Sequence, residues 1–514
     1  MSTQTVNTGL GIRLRDIFPE AQLINAEEVY VRSCCGHWND CQADDLFVAI
    51  TDADQDGHDF TNEAVELGAS AIVTERLLGT RLPQCIVRDS REAYGRICQA
   101  LAGQPSQHLT TVGVTGTDGK TVTSHLIRSV FRAGALKTGL VSSIEVNCGK
   151  NRESVPSDDL NPPRLAGQLN QMVLSDCTNA VVEIPSVALA KRCLSGVDID
   201  VAVITNIRRN HIKFHGSTEN YRRAKMLLLK QLKPTGLAIL NADDPTTHFL
   251  LDKITQPVLT IGMKQEAEIT ARLLERTRSE QTFMVVAGSE SVPVRTSIIG
   301  DQHIYNCLAA TAVGLSSGLE LSTIAKGLEL AGTIPGRLER VECGQPYGVW
   351  IDSARSPGQL ANALRTIKQV TEGKVWCVCS TDDGQSEMQR RRIGEVAEKA
   401  AHKVVITRTT AQEAIDYEPA HQMLDGFENP ETAQLLPNRF KAIQWVLQNA
   451  KPNDAVLIAG CGERPFALVG EDRWTITDRD VCQAWLYDNA EIEPEYSFPK
   501  FSSSQIFNID DYRN

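Results

Sequence analysis

Apolar residues recur along the chain in short runs separated by polar turns, and the period of the pattern switches between that of a strand and that of a helix. "LFVAI" (Leu46 to Ile50) and "SAIVTE" (Ser70 to Glu75) have the length and β-branched content of buried strands, with a helix-like "NEAVELGA" between them. They predict a small N-terminal α/β domain over residues 1–107. From Thr110 the pattern sharpens into an apolar strand "TTVGV", a Gly-rich turn "TGTDGK" and "TVTSHLIRSVFRAG", whose Val122, Leu126 and Val130 recur at i, i+4 and i+8. A central domain over 108–336 is expected there. "GTIPGRLERVE" (Gly332 to Glu342) then punctuates the chain. After it, "VWIDSA", "KVWCVCS", "KVVITR" and "DAVLIAG" alternate with helical "GEVAEKAA" and "NRFKAIQWVLQ". Alternation of this kind implies parallel strands with crossover helices, so residues 337–490 predict a doubly wound, Rossmann-like domain. Residues 491–514 read as a polar tail.

Composition agrees with an α/β protein of several domains. The chain has 514 residues, 42% hydrophobic and 23% charged, with 36 Gly and 21 Pro. At about 150 residues per domain this suggests three domains, and it excludes disorder, collagen or coiled coil as overall descriptions. The net charge of −12 is spread along the sequence. That argues against a nucleic-acid partner but leaves room for an anionic small molecule in a local basic pocket. Met1 to Glu20 lack the apolar core of a signal peptide, and no apolar run approaches the roughly 18 residues of a membrane span. A cytoplasmic, monomeric protein without a membrane span is expected. The 14 cysteines are scattered, which points to reduced thiols. Cys34, Cys35, His37 and Cys41 form a metal-like cluster, but no second Cys/His pair stands at zinc spacing, so the cluster reads as structural.

Candidate chemistry begins at Gly113 to Thr121, the turn from strand to helix. Glycines there let backbone N–H groups wrap a polyphosphate, and the helix N-terminus adds its partial positive charge. Lys120 can neutralise phosphate oxygens and the Thr121 hydroxyl can ligate Mg²⁺. The spacing departs from the strict G-x-x-x-x-G-K-[ST] loop because Val114 takes the first glycine position. Glu183 directly follows the apolar run "NAVV", and His211 lies just beyond "VAVITN". In an open α/β sheet the carboxyl ends of strands converge on one ligand crevice, so Glu183, His211 and Thr121 can face one bound Mg-ATP. Lys225 lies in "ENYRRAKMLLLKQL", a helix with an apolar stripe; unmodified, its ammonium has no lone pair to offer a metal.

"GVTGTDGKTVT" resembles the G-x-x-G-T-[NK]-G-K-[ST] loop of the Mur ligases, the ATP-dependent amide-forming enzymes of peptidoglycan precursor synthesis. Further similar segments follow in family order: "VEIPSVAL", "TNIRRNHIKFHGSTENYRRAK", "LNADDP", "GDQHIYNCLAA" and "PGRLERV". With "LFVAITDADQDGHDF" upstream, the subgroup most resembled adds the third residue to the UDP-N-acetylmuramoyl-dipeptide. The folylpolyglutamate synthetases share the loop and the lysine but lack this N-terminal module. The resemblance implies a three-domain fold with a P-loop-type central domain, and ATP bound by Gly116, Thr117, Asp118, Gly119, Lys120, Thr121 and Asn306, the last near the adenine beside His303. It further implies Arg337 and Asp352 near the nucleotide, and two Mg²⁺ sites, one near Thr121 and Glu183, the other near His211 and a carbamylated Lys225. Lys120, Lys225 and His211 would serve catalysis. The implied substrates are small molecules: a UDP-muramoyl-dipeptide-like carboxylate and an amino acid.

The departures from the family pattern fall in the substrate motifs. Asp-Ser-Arg near the uridine site reads Arg32-Ser33-Cys34, and Thr-Thr-Pro, which contacts the muramoyl-peptide, reads Asp158-Asp159-Leu160. Ser-Ser-His reads Pro185-Ser186-Val187, so Ser33, Asp158, Asp159 and Ser186 are the substrate-side candidates. Asp-Tyr-Ala-His-x-Pro reads Asp352-Ser353-Ala354-Arg355-Ser356-Pro357, and Gly-Lys-Gly-His-Glu reads Gly460-Cys461-Gly462-Glu463-Arg464. The Asp-Asn-Pro-Arg signature for diaminopimelate is missing around Ile406 to Ala414. Two functions fit this split: an active Mur-type ligase, or a catalytically impaired relative that binds nucleotide in a regulatory or scaffolding role.

Overall fold

A computed structural model of the chain describes residues 11–52, 55–154, 160–208, 212–251, 254–381, 384–408, 417–468 and 474–489. The chain divides into two compact units. One comprises Met1–Arg276 with Glu280–Gly332, the other Thr277–Ser279 with Thr333–Asn514. Among the described residues no helix is long and apolar enough to cross a membrane.

Among the described residues the first unit holds two larger sheets and a two-stranded ribbon of Ile12–Arg13 with Tyr30–Val31. Five short strands, β1 (Gln22–Ile24), β2 (Cys34–Cys35), β3 (Leu46–Val48), β4 (Ala71–Thr74) and β5 (Gln84–Ile86), form one sheet in the order β1-β5-β4-β3-β2. Only β1 runs antiparallel to its neighbour. Helix α1 (Ser90–Leu101) covers one face, burying Ala93, Ile97 and Leu101 against Leu46, Val48 and Val73. "LFVAI" and "SAIVTE" are thus strands, as their apolar content predicted.

The second sheet has eleven strands. In chain order these are β6 (Thr110–Thr115), β7 (Thr138–Val141), β8 (Glu145–Asn147), β9 (Arg152–Ser154), β10 (Asn179–Glu183), β11 (Ile199–Ile204), β12 (Leu232–Asn241), β13 (Val258–Gly262), β14 (Ile269–Arg276), β15 (Gln281–Ala287) and β16 (Glu290–Thr296). Their order across the sheet is β9-β8-β7-β10-β6-β11-β12-β13-β14-β15-β16. The centre, β7 to β14, is parallel and its ribbons at either edge are antiparallel. Helices α2 (Lys120–Ala133), α3 (Pro162–Leu174), α4 (Thr218–Lys230), α5 (Asp301–Ser316) and α6 (Leu321–Leu330) pack on it. Val122, Leu126 and Val130 of α2 are buried, as their spacing requires. Helix α6 approaches α2 so closely that a Cβ on Gly327 would lie 2.5 Å from Val130 Cα, and the Ser129 hydroxyl donates to the Gly327 carbonyl at 2.6 Å.

The second unit carries a six-stranded sheet. Strands β17 (Glu339–Val341), β18 (Gly348–Asp352), β19 (Val375–Thr381), β20 (Lys403–Arg408), β21 (Ala433–Leu435) and β22 (Ala455–Ala459) take the order β17-β18-β22-β19-β20-β21. All pair in parallel except β17, giving the doubly wound pattern expected from the apolar runs. Helices α7 (Pro357–Lys368), α8 (Glu387–Ala400), α9 (Arg439–Asn449) and α10 (Asp478–Asp488) connect or cover the strands. Arg439 and Asp478 form a bidentate pair, both contacts at 2.7 Å, with side chains 2% and 0% exposed. Arg439 also donates to the Ala459 carbonyl at 3.1 Å, so the pair ties α9 and α10 to the end of β22. Asp478→Ala strands a buried guanidinium and should cost about 3–5 kcal/mol. Chemical denaturation reads this; a midpoint equal to that of the parent protein would show that the pair does not hold these helices.

Candidate active site

In the first unit β6 lies between β10 and β11 and pairs in parallel with both, so the three strands end side by side. The loop Gly116 to Gly119 leaves the end of β6, and α2 starts at Lys120 with its N-terminal N–H groups and positive dipole end turned toward that edge. Gly119 has φ of +85°, and a Cβ there would stand 2.3 Å from Asn306 Oδ1. Backbone strain and lack of space both demand glycine.

Residues just beyond β11 hold the loop from outside. Thr205 Oγ1 and Asn206 Nδ2 donate to the Asp118 carbonyl at 2.6 and 3.0 Å, and the Asp118 N–H donates to Asn206 Oδ1 at 3.0 Å. The Thr117 N–H donates to the Asn206 carbonyl at 2.9 Å. The Thr117 hydroxyl lies 2.9 Å from the Tyr221 hydroxyl and accepts from the Arg208 N–H at 2.8 Å. Arg208 also stands 3.7 Å from the Asp118 carboxylate. The sequence gave no separate role to Thr205, Asn206 or Tyr221; the end of the apolar run "VAVIT" was the available signal.

Two lysines converge on one oxygen. Lys225 Nζ, on α4, donates to the Gly116 carbonyl at 2.6 Å, and Lys120 Nζ donates to the same carbonyl at 3.2 Å and to that of Thr117 at 3.4 Å. Lys225 is 1% exposed, with its ammonium 4.8 Å from the centre of the Tyr221 ring. Burial first, and then the charge of Lys120, hold its ammonium well below the usual lysine range, while Asp118 opposes the shift. Beside the loop, the Thr121 hydroxyl donates to Glu183 Oε1 at 2.9 Å and the Ser143 N–H donates to Oε2 at 3.0 Å. Glu183 is buried, and its two oxygens and the Thr121 hydroxyl form a compact set of hard oxygen donors.

Asn306 and His303 lie on α5, both buried, with Asn306 Oδ1 and His303 Nδ1 lacking a protein partner. Burial pushes the His303 pKa down to about 3, so the ring is neutral. Ser186, at the start of the short helix Ser186–Ala190, meets His215 Nε2 at 3.0 Å, and the His215 ring packs edge-on to Tyr221 at 5.3 Å. Burial and then Lys225 lower the His215 pKa. Sequence reasoning did not single out His215. Ser33 lies in the N-terminal module, where its hydroxyl bonds the Asp45 carboxylate. His211, Asp158 and Asp159 lie outside the described residues.

A second cluster stands in the other unit. Asp352, at the end of β18, accepts from the N–H groups of Leu338 and Ala354, each at 2.8 Å. Arg337 donates to Glu463 Oε2 at 2.7 Å, and the Arg355 Nε donates to the Gly460 carbonyl at 2.8 Å. Of the segment Ile406 to Ala414, only Ile406 to Arg408 is described.

Comparison with known proteins follows the same lines. Residues 114–314 match the Mur ligase middle domain and residues 336–462 the Mur ligase glutamate ligase domain. The UDP-N-acetylmuramoyl-L-alanyl-D-glutamate–2,6-diaminopimelate ligase of Geobacillus thermodenitrificans (strain NG80-2) is 34% identical over 448 residues, covering 85% of this chain and 91% of that protein. The chain belongs to the Mur ligase family. The Bacillus velezensis ligase of the same name is 33% identical over 446 residues, covering 85% of this Mur ligase and 90% of that protein. A solved structure of a UDP-N-acetylmuramoyl-L-alanyl-D-glutamate–2,6-diaminopimelate ligase superposes with a TM-score of 0.66 at 23% identity, over 93% of this chain and 99% of that one, a likeness of fold.

Asp352 of this Mur ligase titrates unusually. Burial raises its carboxyl from 3.8 to about 6, against the lowering effects of the Leu338 N–H, Arg337 and the Ala354 N–H. Between about pH 4 and pH 6 the folded chain therefore holds a proton that the unfolded chain has released, and the stability from this group is lost as pH rises through that window. Carbon-13 NMR of the aspartate carboxyls should find one midpoint near 6 that Asp352→Asn removes. A spectrum with every aspartate midpoint below 5 would contradict the burial.

Proposed function

We propose that this chain is an ATP-dependent ligase of the Mur type, joining an amino acid to UDP-N-acetylmuramoyl-L-alanyl-D-glutamate or a related carboxylate. The observation that carries the reading is the pair of lysine nitrogens, Lys120 and Lys225, on the Gly116 carbonyl, beside the Thr121–Glu183 oxygen pair. Lys120 at the N-terminus of a helix makes an anion site, and a triphosphate supplies the charge that it lacks, while burial beside that cation favours the neutral amine of Lys225.

In this reading the N–H groups of Gly119, Lys120 and Thr121, at the start of α2, hold the β- and γ-phosphates and Lys120 neutralises them, while those of Thr117 and Asp118 stay on Asn206. Asn306 offers its unpartnered Oδ1 to an adenine amino group. Thr121 and Glu183 suit Mg²⁺, being hard oxygen donors 2.9 Å apart, and the family resemblance implies a second Mg²⁺ site with His211 and a carbamylated Lys225 as donors. Magnesium, when bound, neutralises charge on the transferring phosphoryl group. The substrate carboxylate attacks the γ-phosphorus and ADP leaves. The amine then attacks the acyl phosphate, phosphate departs, and the amine's proton passes to solvent. The protein's part is positioning and charge, and little covalent help is needed.

Lys225 fits carbamylation. Its buried amine has a main-chain oxygen and an aromatic face for partners among the described residues, and burial favours the neutral form that attacks CO₂. The ammonium first gives a proton to solvent, the neutral nitrogen bonds to the carbon of CO₂ as one C–O π bond opens onto oxygen, and a second N–H proton leaves, so that the side chain ends as an oxygen-donor anion. In the second unit, Arg337 and Asp352 are the nucleotide-side candidates. On the substrate side Ser33 and Ser186 keep the family's serines while Arg32, Cys34, Pro185, Val187, Asp158 and Asp159 replace its other residues, so the uridine and muramoyl-peptide contacts would be partly this chain's own. The relatives are named for 2,6-diaminopimelate, whereas the signature for it is absent from the sequence of this chain.

The test is phosphate release from ATP, Mg²⁺ and the UDP-muramoyl-dipeptide with pooled amino acids, which should depend on an amine. Release that never depends on an amine would favour a nucleotide-binding regulatory or scaffolding role. Lys120→Ala should lower turnover by about 10²-fold or more, the scale seen when one charge-stabilising donor is removed. Turnover at the parent rate would remove the loop from the reaction. Lys225→Ala should lose activity and regain part of it with acetate; full activity without acetate would exclude the carbamate.

A further inference from the structure

The N-terminal module brings together three donors that the sequence scattered among structural positions. Cys35 ends β2, Cys41 follows the 3₁₀ turn Trp38–Asp40, and Asp45 immediately precedes β3. The two thiol sulfurs and a carboxylate oxygen lie within 4.8 Å of one another and all three residues are buried, at 4%, 7% and 6% exposure. Donors on one tetrahedral zinc stand roughly 3.3–3.8 Å apart, given metal–ligand bonds of about 2.0–2.3 Å, so small side-chain adjustments bring all three onto one ion.

The membership differs from the cluster that sequence spacing suggested. Adjacent residues of a strand face opposite ways. Cys34 therefore meets Cys98 on α1, with sulfurs 3.9 Å apart, while Cys35 faces Cys41. His37 is exposed and spends Nδ1 on the Asn39 N–H of its own turn at 3.2 Å. Asp45 enters instead. Its Oδ2 accepts from the Gln42 N–H at 2.8 Å and its other oxygen bonds the Ser33 hydroxyl, which leaves each oxygen a further lone pair. Cys41 Sγ faces the Cys35 thiol and makes long contacts, 3.7 Å to the Gln42 carbonyl and 3.8 Å to that of Ala64. The loop between the two cysteines is covered by Trp38, stacked on Phe60 at 5.6 Å.

We propose that Cys35, Cys41 and Asp45 bind one thiophilic divalent cation of the zinc class, with three protein donors and one water. Two thiolates select against Mg²⁺ and Ca²⁺, and the carboxylate completes a borderline-soft set. Each thiol gives its proton to solvent as its sulfur bonds the metal, with no change of oxidation state. The ion fastens the 35–41 loop to the start of β3. Because Ser33 shares the Asp45 carboxylate, the ion also fixes the hydroxyl of a residue in the substrate-side motif. The site stands apart from the phosphate loop, and metal binding can be read without any ligase activity.

Cobalt(II) is the probe. Metal-free, fully reduced full-length protein titrated with Co²⁺ should develop a thiolate-to-cobalt charge-transfer band in the near ultraviolet and tetrahedral visible bands. Both should saturate at one ion per chain and be displaced by Zn²⁺. Cys35→Ser and Cys41→Ser should each lose most of the charge-transfer band, whereas Cys34→Ser and Cys98→Ser should keep it. Asp45→Asn, which leaves both thiols in place, should weaken cobalt binding about tenfold or more and serves where a serine variant does not fold. Absence of the band, or a band that survives in Cys35→Ser or in Asp45→Asn at parent affinity, overturns the proposal.

Discussion

Burial of Lys225 beside Lys120 is the constraint around which the phosphate loop is organised. Lys120 and Lys225 direct their ammonium groups at the single carbonyl of Gly116, and neither gains a carboxylate partner among the described residues. Burying one ammonium in this way is costly, and a second beside it adds to the cost. The fold sustains the arrangement because hydrogen bonds from outside fix Thr117 and Asp118. Thr205 and Asn206 hold Asp118, Tyr221 and Arg208 hold Thr117, and the first turn of α2 begins directly at Lys120. Loss of the Lys225 proton, which burial and Lys120 both favour, removes the repulsion and leaves Lys120 as the cation that a polyanion meets.

The frame follows from the sheet. Because β6 runs between β10 and β11 in parallel, the loop, Glu183 and Asn206 all emerge at one edge. Helix α4 then crosses back with Tyr221 and Lys225 one turn apart, so the phenol reaches Thr117 and the amine reaches Gly116 from a single helix face. The close approach of α6 to α2 at Gly327 backs the helix that carries Lys120 and Thr121. Chemistry at the loop therefore depends on packing well behind it.

Much of this was legible in the sequence, for physical reasons. The buried strands of a parallel sheet are nearly continuous apolar runs, so "TTVGV", "NAVV" and "DAVLIAG" announced themselves. Glycine, lysine and threonine at the turn announced the loop. Less legible were the edge strands β14 to β16, whose half-exposed faces dilute the apolar signal even though Phe283 and Val285 are fully buried. Partners such as Tyr221 with Thr117 or His215 with Ser186 could not be read either, because they join residues more than a hundred or nearly thirty positions apart through the fold. The metal-like cysteines were seen as a cluster, but strand alternation, which separates Cys34 from Cys35, and the turn that delivers Asp45 decide which of them can act together.

The division between retained and altered motifs also has a structural basis. The residues retained from the family pattern are bound into networks in which each group satisfies several others: Glu183 serves both Thr121 and Ser143, and Asn206 both donates to and accepts from Asp118. A change in one of them leaves buried polar atoms without partners, so few alternatives are tolerated. The substrate-side serines that are kept, Ser33 and Ser186, contact Asp45 and His215, whereas their neighbours Arg32, Cys34, Pro185 and Val187 depart from the family pattern. Substrate contacts can thus drift while the nucleotide machinery stays fixed. A chain one-third identical to its relatives over most of its length can in this way keep one set of motifs and vary another.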